Sequence, residues 1–222
     1  MTRLVRLDTD AVAYLPQEVV ASLKEGGMAI YPTDTLYGLG VDPRSEAGLA
    51  RLFALKRREG GKPIPLLLSG PEEVGRNARH VPEAATRLMG RFWPGALTLV
   101  LPAAAGVHPA VTGGGDTVGL RVPDHPVPRA LARGLSGAIT GTSANRSGNP
   151  GDWESAEEIV REFTGEVDWV LWDGKVRRAA TQEGGPGRSA GSTVVRLTDD
   201  RPVLLREGVI PFRAIIEFLE KG

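Results

Sequence analysis

The chain has 222 residues and carries 27 Lys plus Arg against 27 Asp plus Glu, so its formal net charge is zero. That balance excludes a uniformly basic polyanion-binding surface and an acidic disordered tail, and 41% hydrophobic residues exclude a disordered composition. The absence of cysteine removes disulfide frameworks, zinc ribbons and thiol nucleophiles together.

The N-terminus, MTRLVRLDTD, has no apolar stretch leading to a small-residue cleavage site. A first amphipathic helix is expected over about Pro16 to Glu25, with Gly26 and Gly27 as its stop. The β-branched and apolar run MAIYPT from Met28 reads as a strand, and Ser45 to Arg57 as a second helix with Leu49, Leu52, Phe53 and Leu55 apolar. PLLLS from Pro65, ALTLVLP from Ala96, TVGLRVP from Thr117, GAITGTS from Gly137, VDWVL from Val167, STVVRL from Ser192 and PVLLR from Pro202 are further strands. Helices are expected near Pro82 to Phe92, Pro126 to Arg133, Ser155 to Phe163 and Pro211 to Leu219. Alternation of this kind indicates an α/β fold, here one domain over 1–222 around a large twisted mixed sheet. The 29 Gly and 17 Pro residues concentrate in loops, including a Gly-rich stretch from Gly174 to Gly191 long enough for a mobile loop or lid. No apolar run approaches the roughly 18 residues that span a bilayer, so no membrane contact and a cytoplasmic location are expected.

Some generic patterns carry nothing. Gly187 to Gly191 matches G-x-S-x-G, but a polar loop precedes it and a strand follows, the reverse of a nucleophile elbow. Gly61-Lys62 is followed by Pro63, so no Walker A loop exists, and His80, His108 and His125 lack metal-ligand spacing. His108 and His125 precede prolines and read as loop residues.

Four features point to anion and polar-ligand chemistry. From Arg51 to Lys62 five basic residues face one acid, net +4, so Lys56 and Arg58 at a helix end are able to converge on a polyphosphate; taken alone, the same residues read first as a solvated basic helix end. Thr140 to Gly148 (TGTSANRSG) offers short hydroxyls, Asn145 and backbone N–H groups at a strand end, or simply a turn. Tyr31 to Gly40 (YPTDTLYGLG) runs a buried strand into two hydroxyls, a carboxylate and two glycines, a mixture suited to a small polar ligand. Arg121 and Arg206, each inside an apparent strand, need an ion-pair partner or a ligand.

Taken in order, YPTDTLYGLG, the Lys56-Arg57-Arg58 stretch running to GKPIPLLLS, FWPGALTLVLP, TVGLRVPDHP, TSANRSG, GSTVV and PVLLREG resemble the YrdC family of L-threonylcarbamoyladenylate synthases. The motif-bearing region covers about residues 12–210. The resemblance implies an open twisted mixed sheet with flanking helices around a positively lined groove. It implies the conversion of L-threonine, bicarbonate and ATP to threonylcarbamoyl-AMP and pyrophosphate, for threonylcarbamoyladenosine modification of tRNA. By the same resemblance Lys56 and Arg58 hold the ATP phosphates and are the catalytic pair. Lys62, Thr117, Ser143, Asn145 and Arg206 are nucleotide contacts, and Thr33, Thr35, Arg121 and Ser192 are threonine contacts. Mg²⁺ would accompany ATP, with ligands unspecified and no tightly bound organic cofactor, and a threonylcarbamoyl-transferase complex would take the product. Leu67 stands where certain relatives have a substrate-contacting histidine, Gly191-Ser192-Thr193 replaces a more usual E-S-T or P-S-T, and the chain ends soon after the matching region, implying a short form. Two alternatives stand beside this reading. One is a non-catalytic module binding tRNA or double-stranded RNA through the same basic groove. The other is carbamoyl transfer, disfavoured by the missing zinc-finger cysteines.

Overall fold

The computed structural model describes residues 1–7, 15–57, 61–146, 153–177 and 191–221. Arg3–Arg6 forms β1, Gln17–Lys24 α1, Ala29–Tyr31 β2, Gly38–Gly40 β3 and Glu46–Lys56 α2. Leu66–Leu68 (β4) leads through a 3₁₀ turn at Pro71–Glu73 to Val74–Asn77 (α3) and Glu83–Phe92 (α4). Leu97–Pro102 (β5), Pro109–Thr112 (α5), Thr117–Arg121 (β6) and Pro126–Gly134 (α6) come next, then Ala138–Thr140 (β7) and Thr142–Ser143 (β8). Ala156–Phe163 (α7), Trp169–Trp172 (β9), Thr193–Arg196 (β10), Val203–Arg206 (β11) and Phe212–Glu220 (α8) complete the order. Every apolar run expected as a strand forms one, and all six expected helices are present. Among the described residues no helix is long and apolar enough to cross a membrane.

The α/β class with mixed sheets and flanking helices is as the sequence predicts, but the strands divide between two sheets rather than forming one. The first has the order β1-β9-β2-β3-β8, with β1, β9 and β2 parallel and β3 antiparallel to both β2 and β8. The second runs β11-β10-β5-β6-β4-β7; only its β10–β5 and β4–β6 pairs are parallel. The expected single strand GAITGTS is the reason they meet: its first half, β7, belongs to the second sheet and its second half, β8, to the first, with Gly141 between. Close approach at this junction needs glycine. A Cβ on Gly40 would lie 2.2 Å from the Thr140 carbonyl oxygen, a distance no packed carbon tolerates. Thr140 is clasped from the other side by its own N–H to the Val41 carbonyl (3.1 Å) and by its hydroxyl accepting from Val41 N (2.9 Å).

The main core joins Ile30, Leu39, Leu49 and Leu52 to Leu99, Val118 and Leu120, so α2 and both sheets share one apolar interior. A second cluster packs Val19 and Leu23 of α1 and Val127 and Leu131 of α6 against Tyr31, Leu67 and Ile139. At roughly 25 cal/mol per Å² of apolar surface removed from water, burial of these branched side chains dominates the stabilisation and fixes the register of both sheets. The ends of α1 and α2 are set by backbone in the left-handed region. Gly26, at φ 91°, stops α1 as expected. Arg57, at φ 45°, ends α2 in the same region, leaving Lys56 as the last helical residue with its side chain buried.

Candidate active site

A cavity of about 280 Å³ opens where the two sheets meet. One wall is the loop after β2, contributing Thr33, Thr35 and Leu36; Pro65 and Leu67 supply apolar surface from β4 and the residue before it. Gly141, Ser143 and Asn145 close one end, and Thr98, Arg121, Gly191, Ser192 and Arg206 close the other. Among the described residues lining it, charge is carried by Arg121 and Arg206 alone, so the cavity favours an anion.

Arg121 is the last residue of β6 and only 5% exposed. Its Nε donates to the Gly95 carbonyl (2.8 Å), Nη1 to Thr35 Oγ1 (3.1 Å) and Nη2 to the Asp34 carboxylate (2.6 Å). Three of a guanidinium's five N–H groups are thereby used, leaving two for a ligand. Asp34 is a residue of the site that the sequence shows as a carboxylate in a polar motif without giving it a task; its partner lies 87 residues away. Arg206 donates through Nη2 to the Ser192 carbonyl (2.9 Å) and hydroxyl (3.3 Å), and among the described residues no carboxylate lies on it. Its residue surface is exposed on the outer side of β11, yet its guanidinium is crowded on the cavity side; burial there, with the like charge of Arg121, lowers its pKa from the ordinary value. Ser192 Oγ and Thr98 Oγ1 are 2.8 Å apart beside it.

At the opposite end, Lys56 Nζ donates to the carbonyls of Ser143 (3.0 Å) and Asn145 (2.6 Å) and to Asn145 Oδ1 (2.8 Å). Ser143 Oγ donates to the same Oδ1 (2.6 Å), and Trp153 Nε1 holds the Ala144 carbonyl (2.7 Å) from behind. The ammonium therefore organises a tight loop whose hydroxyl and amide face the cavity. The Thr33 hydroxyl donates to the Leu36 carbonyl (2.6 Å), accepts from Thr35 N (3.0 Å) and sits 3.0 Å from Thr35 Oγ1, which presents the Thr35 hydroxyl to Arg121.

The structure thus brings Thr33, Thr35, Arg121, Ser143, Asn145, Ser192 and Arg206 to one cavity, with Lys56 directly behind its far wall. Thr117 and Lys62 do not line it. Thr117 begins β6, about 13 Å along the strand from Arg121, and Lys62 lies before β4, two residues ahead of Ile64, whose N–H donates to the Val111 carbonyl (2.9 Å). Arg58 lies outside the described residues, as do Ser147 and Gly148 of the TSANRSG motif and positions 178–190 of the Gly-rich stretch. Leu67 is buried and lines the cavity; a Cβ on Gly141 would meet its Cγ at 2.6 Å. Among the described residues no three His, Asp or Glu side chains converge as a metal cage.

A second polar cluster abuts the first and was not singled out by the sequence. Asp173, just past β9, has a side chain with no exposed surface. Its carboxylate accepts from Tyr37 OH (2.8 Å), from Lys175 N (3.2 Å) and from both Nη1 (2.8 Å) and Nη2 (2.5 Å) of Arg177. His125 Nε2 is 3.2 Å from its other oxygen; because His125 Nδ1 accepts the Val127 N–H at the start of α6, Nε2 carries the proton. Burial pushes this carboxyl up, but the hydrogen bonds from Arg177, His125 and Tyr37 outweigh it and hold it far below the usual carboxylate range. Burial, reinforced by Asp173, raises the Tyr37 phenol well above its ordinary value. The Tyr37 ring stacks on Trp172 with centroids 5.1 Å apart and carries the Arg177 guanidinium 4.9 Å above it.

The Sua5/YciO/YrdC family, described as "Telomere recombination", matches residues 21–208. A protein of Pyrococcus abyssi named threonylcarbamoyl-AMP synthase is 36% identical over 193 residues, 87% of this chain and 54% of its own length, so the chain spans about half of that relative. One of the same name from Halorhodospira halophila is 33% identical over 192 residues, 86% of this chain and 89% of its own length. The crystal structure of a P. abyssi Sua5 in complex with L-threonine superposes with a TM-score of 0.82 at 32% identity, covering 99% of this chain and 61% of that one.

Proposed function

The chain belongs to the Sua5/YciO/YrdC family, and from that premise we propose that it is a threonylcarbamoyl-AMP synthase, joining L-threonine, bicarbonate and ATP with release of pyrophosphate. The observation that carries this reading is the cavity's pair of arginines, one with spare N–H groups and one with only neutral partners, facing a hydroxyl-rich wall. That end suits an amino-acid carboxylate on Arg121, with the hydroxyls of Thr33, Thr35 and Ser192 around the amine and side chain. The Ser143–Asn145 loop, with Lys56 as its cationic centre, suits phosphate oxygens, and Arg206 on Ser192, at the Arg121 end, would add a second cation for the nucleotide. Lys62, Thr117 and, outside the described residues, Arg58 extend the nucleotide side.

In this mechanism threonine's amine and bicarbonate condense to a carbamate with loss of water. A carbamate oxygen attacks the α-phosphorus of ATP, and pyrophosphate leaves carrying the electron pair of the broken P–O bond. No protein nucleophile takes part. The chain's contribution is to hold both substrates in line and to offset the charge that builds on the phosphate oxygens. Magnesium would enter with ATP as part of the substrate. The product would pass to a threonylcarbamoyl-transferase complex acting on tRNA, in the cytoplasm. Incubation with ATP, threonine and bicarbonate followed by mass spectrometry tests the reading: threonylcarbamoyl-AMP is expected, and its absence alongside salt-sensitive tRNA binding would favour the RNA-binding module instead.

A further inference from the structure

Asp173 and Arg177 touch the cavity's wall from outside it. Arg177 Nε donates to the carbonyl of Thr33, while its two terminal nitrogens grip Asp173 and its face covers Tyr37. Asp173 also holds the Tyr37 hydroxyl directly. One end of the 33–37 segment is therefore tied to Asp173 directly, 136 residues away in sequence, and the other through Arg177, 144 residues away. From Thr33 the connection continues through its hydroxyl to Thr35, and from Thr35 to Arg121 Nη1. Each link is a hydrogen bond among buried or half-buried groups, where loss of one partner leaves the next without its orientation.

We propose that Asp173 and Arg177 are positioning residues that hold the Thr33–Thr35 hydroxyls and, through them, the Arg121 guanidinium in the geometry that receives threonine. The Ser143–Asn145 loop meets this network through main chain, by Ala144 N to the Tyr37 carbonyl (2.8 Å) and the Gly38–Ser143 pairing of β3 with β8, while Lys56 and Trp153 brace it from the other side. Disturbing the Arg177 end should therefore act on threonine far more than on ATP. A general loss of packing would instead lower the fraction of active enzyme and leave both Michaelis constants unchanged.

The inference rests on the synthase reading, and the experiment separates the two. Threonine-dependent pyrophosphate release is measured for the wild type, Arg177→Gln, Asp173→Asn and the double variant, with threonine and ATP varied in turn. Arg177→Gln should raise the KM for threonine about tenfold and change that for ATP less than about twofold, and the double variant should be no worse than the more damaged single, because the two residues act as one unit. Arg177→Gln, at the rim of the cluster, keeps the test alive if Asp173→Asn does not fold. An unchanged threonine KM in an active Arg177→Gln enzyme, or equal rises in both constants, overturns the positioning role and leaves the synthase reading intact. No threonine-dependent release by the wild type overturns both.

Discussion

Two clusters of charged side chains flank the 33–37 segment and are built on opposite principles. At Asp173 the carboxylate is saturated, receiving three side-chain partners and a backbone N–H with no surface left to solvent. At the cavity the cations are under-partnered: Arg121 retains two N–H groups and Arg206 leans on a serine while facing another positive charge. A saturated buried charge holds backbone segments together, whereas a cation kept short of partners beside a like charge costs stability that only an incoming anion recovers.

Substitutions can break that contrast. The largest effect is expected from Lys56→Ala, which removes the ammonium from the Ser143–Asn145 loop. Threonine-dependent pyrophosphate release should fall on the order of 100-fold, as for misplacement of a loop that positions substrate, read by a coupled pyrophosphate assay. Arg121→Ala should cost about 3 kcal/mol in urea unfolding, because Asp34 is left without its counter-ion in a half-buried position. Arg206→Ala should behave differently although it sits in the same cavity. Its bonds are to neutral groups and its neighbour is a like charge, so unfolding free energy should change by less than about 1 kcal/mol while turnover drops about tenfold. Equal destabilisation by both arginine substitutions would erase the difference between a cation with a counter-ion and one without.

The smallest effect is pH-dependent. The folded Asp173 carboxyl titrates far below its unfolded value, so the unfolded chain binds the proton first as the solution is acidified. Its contribution is complete above about pH 4 and declines below it, by about 1.4 kcal/mol per pH unit. The stability gap between wild type and Asp173→Asn, tracked by urea midpoints, should be constant near neutrality and narrow as pH falls below 4.

Much of the fold was legible because its strands are apolar runs bounded by Gly and Pro, and its helices carry clear amphipathic faces. What escaped was set by partners. β1 (RLVR) has charges at both ends and is a strand only because Trp169–Trp172 lies beside it. β3 is Gly-Leu-Gly, with almost no intrinsic strand preference, and exists because β2 and β8 pair with it. The division into two sheets depends on Gly141, which gives no sequence signal separate from an ordinary turn. In the site, hydroxyls and basic residues were visible in their motifs. Asp34 was visible as a carboxylate, but its bond to Arg121 was not. His125 was read as a loop residue before a proline; it caps the start of α6 and is buried against Asp173. Asp173 carries one weak signal, an acid directly after the buried WVLW run, and Arg177 only its place four residues after that acid, because its contacts with Thr33 and Tyr37 lie some 140 positions earlier.

Thr140 is sewn into both sheets: it ends β7, grips Val41 beside β3 and takes the Tyr31 hydroxyl on its carbonyl (2.5 Å), while Thr142, two residues on, pairs with Leu39. The sheets therefore share a seam and have no hinge line between them. Within the second sheet Arg121 and Ile139 are both neighbours of Leu67, two strand spacings or about 10 Å apart, and Ser143, across the seam on β8, comes four residues after Ile139. The cavity cannot widen by swinging one sheet away from the other. Its arginine end and its lysine end are therefore kept a fixed distance apart by the strands between them.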